Sequence, residues 1–361
     1  MSGIWCRKIK LSIFGESHGK AIGITIDGLP PGFELDLDFI KKELNRRAPG
    51  KNFFSTSRAE EDEFEILSGF FKGRTTGTPF CAVIKNKNTR SEDYEQGLIR
   101  PGHADYTGYI RYGGFNDYRG GGHFSGRLTS PLVFAGAVAK QLLGSKDIII
   151  GSHIKSIGGI EDEAFDMVEI DLAKLEKLDR DFPVLDQRKG EKMKEAILSV
   201  REEGDSLGGI VECAIINCPA GLGDPFFDSV ESSLSQMLFS IPAVKGVEFG
   251  LGFELGRMKG SAANDEFYFQ DGRVMTYTNN NGGILGGITN GMPIVFRVVF
   301  KPTPSIAKPQ RTVNIKEGTN TTIRIKGRHD PCIVPRAVPV VEAAAALVML
   351  DLLAEELGKE W

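Results

Sequence analysis

The sequence predicts one α+β domain spanning residues 1–361, and three observations carry that expectation. Short stretches of strand periodicity alternate with helical ones, and no Ser-, Pro- or Gln-rich linker separates them. Hydrophobic residues at 41% and charged residues at 25% are globular values, which exclude a disordered or charged low-complexity chain. Glycine is in excess: 44 of 361 residues, about 12% against a usual share near 7%. The glycines lack the three-residue period of collagen, so the excess falls in turns and in loops that bring backbone close to something else.

Taken in chain order, alternating apolar and β-branched residues predict strands at 8–14 (KIKLSIF), 21–28 (AIGITIDG), 64–70 (FEILSGF), 79–85 (PFCAVIK), 209–218 (GIVECAIINC), 244–253 (VKGVEFGLGF) and 292–300 (MPIVFRVVF). Helical spacing marks Leu37 to Arg47. Ser130-Pro131 reads as a cap with proline at the first helical position, opening a helix to Leu143 that stops at Gly144. Glu191 to Glu203 stops at Gly204, and Pro339 to Leu357 at Gly358. A Gly-x-Pro turn feeding a strand occurs twice, at Gly77 and at Gly291, which fits either a duplicated half-fold or shared turn chemistry.

Charge and cysteine usage narrow the function classes. A net charge of -4 gives no basic excess for nucleic acid. The acidic runs 59–65 and 161–171 read as solvated faces. The C-terminal charge-free run, Ala343 to Leu350, is shorter than a membrane span, and the N-terminus shows no secretory signal, so no membrane partner is expected. Five scattered cysteines lack C-x-x-C spacing, which argues against disulfides and zinc and points to a reducing cytoplasm. No histidine pair has metal-ligand spacing, so no metal is expected.

Gly15-Glu16-Ser17-His18-Gly19 matches the nucleophile elbow of serine hydrolases. The elbow requires a helix after the serine, and residues 21–26 read as a strand, so the required context is missing. No phosphate-binding P-loop and no dinucleotide fingerprint is present. Arg119-Gly120-Gly121-Gly122 runs toward the helix at Ser130, a setting where free N–H groups suit an anion. Arginines 46, 47, 119, 127 and 328 lie in Gly- or Pro-bearing segments, which suits a small anionic ligand held by guanidinium forks. His18, His103, His123 and His329 occupy similar loops and are candidate acids, while His153 lies in an apolar stretch and reads as structural.

The ordered motifs Gly-Glu-Ser-His-Gly (15–19), Arg-Pro-Gly-His-Ala-Asp-Tyr-Thr (100–107), Asp-Tyr-Arg-Gly-Gly-Gly (117–122), Pro-Ala-Gly-Leu-Gly-Asp-Pro (219–225), Ala-Val-Lys-Gly-Val-Glu (243–248), Asn-Gly-Gly-Ile-Leu-Gly-Gly-Ile (281–288), Lys-Pro-Thr-Pro-Ser-Ile (301–306) and Gly-Arg-His-Asp-Pro-Cys (327–332) together resemble the chorismate synthase family. The resemblance implies a β-α-β sandwich, usually a homotetramer. It also implies conversion of 5-enolpyruvylshikimate 3-phosphate to chorismate and phosphate by a 1,4-anti elimination that needs reduced FMN without net redox change. By the same resemblance His103 protonates the departing phosphate, His18 serves the flavin or the substrate anion, and Asp330, Ser17 and Ser125 relay a proton. FMN contacts would come from His123, Phe124 and Ser125, Pro242 and Ala243, Gly286, the loop Lys301, Pro302, Thr303, Pro304 and Ser305, and Arg328. Arg46, Arg47, Arg119, Arg127 and Arg328 would meet substrate anions.

This chain departs from the family pattern at three positions. His123 and Phe124 stand where the family usually carries Arg and Ser, and Phe53 falls near the place of an arginine associated with nicotinamide. The compact length resembles the monofunctional type, which takes reduced flavin from an external source. A serine hydrolase acting through Ser17 and a non-catalytic flavin-binding module are the competing readings.

Overall fold

The structure, a computed structural model, describes residues 3–50, 62–87, 89, 91–325 and 329–357. Phe53 and Arg328 lie outside the described residues. Two five-stranded antiparallel sheets face each other across a layer of helices. The first contains β1 (Ile4–Cys6), β2 (Lys10–Gly15), β3 (Ala21–Asp27), β4 (Phe64–Ser68) and β5 (Phe80–Lys85), in the order β1-β2-β3-β5-β4. The second contains β6 (Ile149–Ile157), β7 (Ile160–Glu161), β8 (Gly209–Ile216), β9 (Val244–Phe249) and β10 (Ile294–Phe300), in the order β9-β10-β8-β6-β7. The main helices are α1 (Leu37–Arg47), α2 (Asp105–Arg111), α3 (Thr129–Gly144), α4 (Gln187–Glu202), α5 (Val230–Phe239) and α6 (Val334–Leu357). Helix α3 touches β3 and β5 of one sheet and β6 of the other, which places it between them.

The two halves repeat one topology. In the first, β2, β3, α1, β4, β5 and α3 follow one another, with the strands ordered β2-β3-β5-β4. In the second, β6, β8, α5, β9, β10 and α6 do the same, ordered β6-β8-β10-β9. The equivalent strands β4 and β9 even share an irregularity, a register slip between Ile66 and Ser68 in one and between Val244 and Gly246 in the other. The two Gly-x-Pro turns feed β5 and β10, which occupy equivalent places, so the echo in the sequence reflects a duplicated architecture.

Helices α3 and α6, themselves equivalent, pack closely at the centre. A Cβ built on Gly136 would lie 2.2 Å from the Cβ of Ala343, so only glycine lets the two backbones approach this far. Around this crossing a single hydrophobic cluster spans both sheets, from Ile9 to Ala354. A compact ionic cluster sits within it. Arg46 donates from Nη1 and Nη2 to Glu342 at 2.6 and 2.9 Å, Lys140 donates to Glu43 at 2.6 Å and also to Glu342, and the Ser152 hydroxyl donates to Glu342 at 2.7 Å. Burial alone would raise the Glu342 carboxyl, but Arg46 and Lys140 hold it well below the ordinary range.

Several sequence expectations need correction. Helix α3 begins at Thr129 directly after a short 3-10 turn (Gly126–Leu128), and the buried Ser130 hydroxyl has no partner, so Ser130 is not a cap. Helix α6 begins at Val334 and carries Pro339 inside it. Within Val334–Glu356, a stretch of 18 residues is long and apolar enough by composition to cross a membrane, yet that stretch is buried in this fold. Counting only the charge-free run missed this because Glu342 and Asp351 are tolerated inside: Glu342 has its two cations, and Asp351 accepts the backbone N–H of Ile9 at 2.8 Å.

Candidate active site

A cavity of about 1010 Å³ opens where the equivalent elements of the two halves meet. Its wall takes residues from β1 and β2, from the starts of α3 and α6, from the ends of α1 and α5, and from the loops 240–245 and 300–305. The first turns of α3 and α6 therefore both contribute to this cavity, and each brings an arginine with it, Arg127 and Arg336. Aligned peptide dipoles at the two helix starts add to their positive charge.

One buried carboxylate organises the cations. Asp62, with a side chain only 1% exposed, accepts Arg47 Nε at 3.0 Å and Nη2 at 2.8 Å, and also Nη1 of Arg127. Burial works against its charge, but the two guanidiniums overturn that and lower its carboxyl. Burial of Arg47, abetted by Arg336 and Arg127 and opposed by Asp62, brings its guanidinium down to about 10. Arg336 donates from Nε to the Arg47 carbonyl at 2.9 Å and from Nη1 to Asp330. Among the described residues, two carboxylates thus stand among three arginines, an excess of one positive charge beside the cavity. Asp62 lies in the acidic run 59–65, read above as a solvated face; its burial overturns that reading for this residue.

Three of the four histidines on the cavity wall, His18, His123 and His103, reach it by separate routes. His18 follows β2, its Nδ1 3.0 Å from the Ser91 hydroxyl and its ring edge-on to Tyr94 at 5.3 Å. His123 uses Nδ1–H to donate to the Gly15 carbonyl at 2.9 Å. A carbonyl only accepts, so this bond fixes the tautomer and leaves Nε2 as the second ring nitrogen. His103 lies in the loop before α2, with Nδ1 2.7 Å from Asp105 Oδ1. Gly120, Gly121 and Gly122 all have positive φ, at 60°, 84° and 53°. They wrap the chain against the rings: a Cβ at Gly120 would lie 2.3 Å from His18 Cδ2, and one at Gly121 would lie 3.0 Å from His103 Nε2. The glycine run thus seats histidines as well as offering backbone N–H groups.

The other expected residues divide in two. Phe124, Ser125, Pro242, Ala243, Lys301, Thr303, Pro304, Ser305, His329 and Asp330 line the cavity. Pro302 lies within the same loop, packed near Gly208. Arg46 points into the core and is committed to Glu342 and Glu43. Arg119 is outside the cavity wall, held by Asp117 at 2.8 and 2.9 Å. Gly286 turns the hairpin between Ile284–Leu285 and Ile288–Thr289, also away from the wall. Ser17 is 2% exposed, and its hydroxyl donates to the carbonyls of Gly120 at 3.1 Å and Arg119 at 3.3 Å. A serine so placed between two strands is no nucleophile elbow, so the hydrolase reading loses its geometry.

Arg100, Asp105, Asp62, Arg336 and Trp5 were not singled out from the sequence. Arg336 had a usable signal, a cation between two prolines at a helix start. Trp5 Nε1 is buried on the wall with no partner among the described residues, an unspent donor. The apolar side of the wall, with Ile13, Leu132, Ile333 and Val340, suits a flat ring system, while Lys301 and the arginines suit phosphate. The cavity is large enough for a cofactor and a small substrate together. Among the described residues no cluster of three metal-ligating side chains occurs.

A duplicated α/β sandwich with a cationic, histidine-bearing cavity at its centre defines an enzyme of small polyanionic ligands. The family model for chorismate synthase matches residues 9–354. The chorismate synthase of Thermococcus kodakarensis is 50% identical over 348 residues, 96% of each chain, and that of Dehalococcoides mccartyi strain BAV1 is 48% identical over 354 residues, covering 98% of this chain and 96% of that one. A crystal structure of a chorismate synthase superposes with a TM-score of 0.78 at 34% identity, covering 99% of this chain and 95% of that one. The chain belongs to the chorismate synthase family, and with it to the lyases.

Proposed function

We propose that this protein, acting as a single catalytic domain, converts 5-enolpyruvylshikimate 3-phosphate to chorismate and phosphate in the cytoplasm, with reduced FMN as cofactor. The observation that carries the reading is the convergence of His18, His103 and His123 with the arginines 47, 127 and 336 on one cavity, from segments spread along the chain. Reduced flavin, when bound, supplies electron density to the allylic system as phosphate departs and a basic ring nitrogen for the ring proton. His123, Phe124, Ser125, Pro242, Ala243 and the loop 301–305 would hold it, and the unspent Trp5 donor lies on the same wall. Arg328 is assigned to the same cofactor from its motif alone.

The substrate carries a phosphate and two carboxylates, which match the guanidinium groups that Asp62 and Asp330 hold in place. Keeping these cations ordered before the ligand arrives avoids ordering them during the reaction. His103 presents Nε2 beside Gly121 and donates its proton to the leaving phosphate. Asp330, on the wall and bonded to Arg336, would carry the proton onward for release, Ser125 lies on the same wall, and Ser17 orders the glycine turn.

Assembly through apolar faces is supported by the exposure of Phe226, Phe227, Phe253 and Phe269, which are 86, 92, 86 and 74% accessible. A homotetramer supplied with reduced flavin from outside is the proposed working form. The test is anaerobic incubation of pure protein with chemically reduced FMN and substrate, following phosphate and chorismate. Equal amounts of both, with no net flavin oxidation, are expected. Flavin binding without phosphate release would make the protein a binding module instead.

A further inference from the structure

The loop that carries His103 contains a carboxylate to which the reaction above assigns no role. Asp105, at the start of α2, has three bonds from Arg100: Nε to Oδ2 at 2.7 Å, Nη2 to Oδ1 at 2.7 Å, and the backbone N–H to Oδ2 at 3.0 Å. Arg100 is itself seated against the Tyr94 ring, at 5.3 Å from its centroid. The carboxylate plane is therefore held on one side by a planar fork. On its other side, Oδ1 lies 2.7 Å from Nδ1 of His103.

The short contact to Oδ1 selects between two proton arrangements. Burial opposes the charge on Asp105, yet its hydrogen bonds from Arg100 and His103 hold the carboxyl well below its ordinary range, so it is an anion and only accepts. A bare Nδ1 at this distance would set a lone pair against a carboxylate oxygen. Arg100 Nη2 also lies 3.1 Å from Nδ1, and its second N–H could donate to a bare Nδ1, but that would leave the Nδ1 lone pair against Oδ1 at the shorter distance of 2.7 Å. The proton is therefore on Nδ1, pointing at Asp105, and Nε2 is the nitrogen left to face the cavity beside Gly121.

We propose that Asp105, clamped by Arg100, is a positioning residue that fixes His103 in its Nδ1–H form and so makes Nε2 the atom that exchanges a proton with ligand. This rests on the reading of His103 as the proton donor. The arrangement does two things for that role. It sets the ring plane, and it places a fixed anion behind the imidazolium while the mobile proton sits on the opposite nitrogen. Sequence spacing alone gives no hint of it, because a His and an Asp two residues apart usually point to different sides of a chain.

The test combines nitrogen NMR on histidine-labelled full-length protein with kinetics of Asp105→Asn. The His103 signals are assigned by their loss in His103→Ala. At a pH where imidazoles are neutral, Nδ1 of His103 is expected to be the protonated nitrogen in the unmutated protein, and Asp105→Asn is expected to abolish that preference. Turnover in Asp105→Asn should fall by about 10- to 1,000-fold with substrate KM within threefold, as for a misoriented acid. In a His103→Ala background the same substitution should cost less than twofold, because the residue it positions is gone. Protonation at Nε2 in the unmutated protein overturns the proposal without any variant being needed. So does a loss confined to KM, or an equal loss in the His103→Ala background, since either would make Asp105 a clamp for Arg100 alone. The NMR result needs no turnover, so a protein that fixes Nδ1–H but releases no phosphate would refute the functional reading and leave the tautomer assignment standing.

Discussion

Gly120→Ala makes the dependence of the site on the glycine turn measurable. At φ 60° an alanine is in a conformation that costs about 1–3 kcal/mol. At roughly 2.1 cal/mol/K per residue, 361 residues have an unfolding entropy near 0.76 kcal/mol/K, so the backbone cost lowers Tm by about 1–4 °C. The activity effect has a different origin. The added Cβ would lie 2.3 Å from His18 Cδ2 and 2.4 Å from its Nε2, against the 3.5–4.0 Å of an ordinary carbon contact, so the ring must retreat by about 1 Å or more. A misplacement of that size costs about 100-fold in turnover. Gly32→Ala is the control: its φ is 84° but nothing lies within 4 Å of its added Cβ, so it should show a similar Tm loss with normal turnover. Single-turnover phosphate release and thermal unfolding on the two variants separate the effects. If Gly120→Ala keeps turnover within threefold while losing the expected stability, the His18 position is not what the glycine protects.

Glu342→Gln leaves Arg46 and Lys140 buried with only Glu43 between them, and should cost about 3–5 kcal/mol, or about 4–7 °C in Tm; a shift under 1 °C would show the cluster to be solvated. His153 is fully buried between Asp162 at 3.2 Å and Glu212 at 2.9 Å, and those carboxylates overcome burial and raise its proton affinity. The raised value means that its contribution is complete below pH 6.5 and is lost as pH rises through the folded-state value. Urea midpoints should therefore decline above pH 6.5 in the unmutated protein and lose that decline in His153→Gln. His123→Ala should weaken reduced-FMN binding by about tenfold, since the ring is held on the cavity wall by its bond to the Gly15 carbonyl; an unchanged affinity would assign His123 to packing alone.

The parts of the fold legible in the sequence are those whose local chemistry agrees with their tertiary setting. Helix α1 is one: Asp36 accepts the N–H groups of Asp38 and Phe39, and the apolar positions Ile40 and Leu44 face inward. Strand β6 was missed because its centre, Ser152-His153, is polar in sequence but buried in fact, each side chain bonded to a carboxylate. Helix α5 was missed because its serines dilute the apolar period, although Ser229 caps it by accepting from Ser232 N–H. At the site, glycines and histidines were visible because turns and rings leave local signatures. Asp62 was not, since nothing local distinguishes a carboxylate among acidic neighbours from one that closes over two distant arginines. Arg46 and Arg47 show the same limit: adjacent on one helix, they diverge into the core and toward the cavity.

The burial of α6 bears on how the protein is made. Every strand and helix it covers precedes it in the chain, so during synthesis both sheets exist before the element that fills the space between them. Until that segment leaves the ribosome, the inner faces of β6 and β8 and the matching side of α3 have nothing to pack on, and the nascent chain carries sticky surface for the whole of its elongation. The segment itself, Val334–Glu356, has the hydropathy of a bilayer-crossing helix when it first emerges. Its docking between the sheets competes with capture by lipid or by other unfolded chains, and Glu342 and Asp351 tip that competition, because each finds a polar partner inside the fold that a membrane interior lacks.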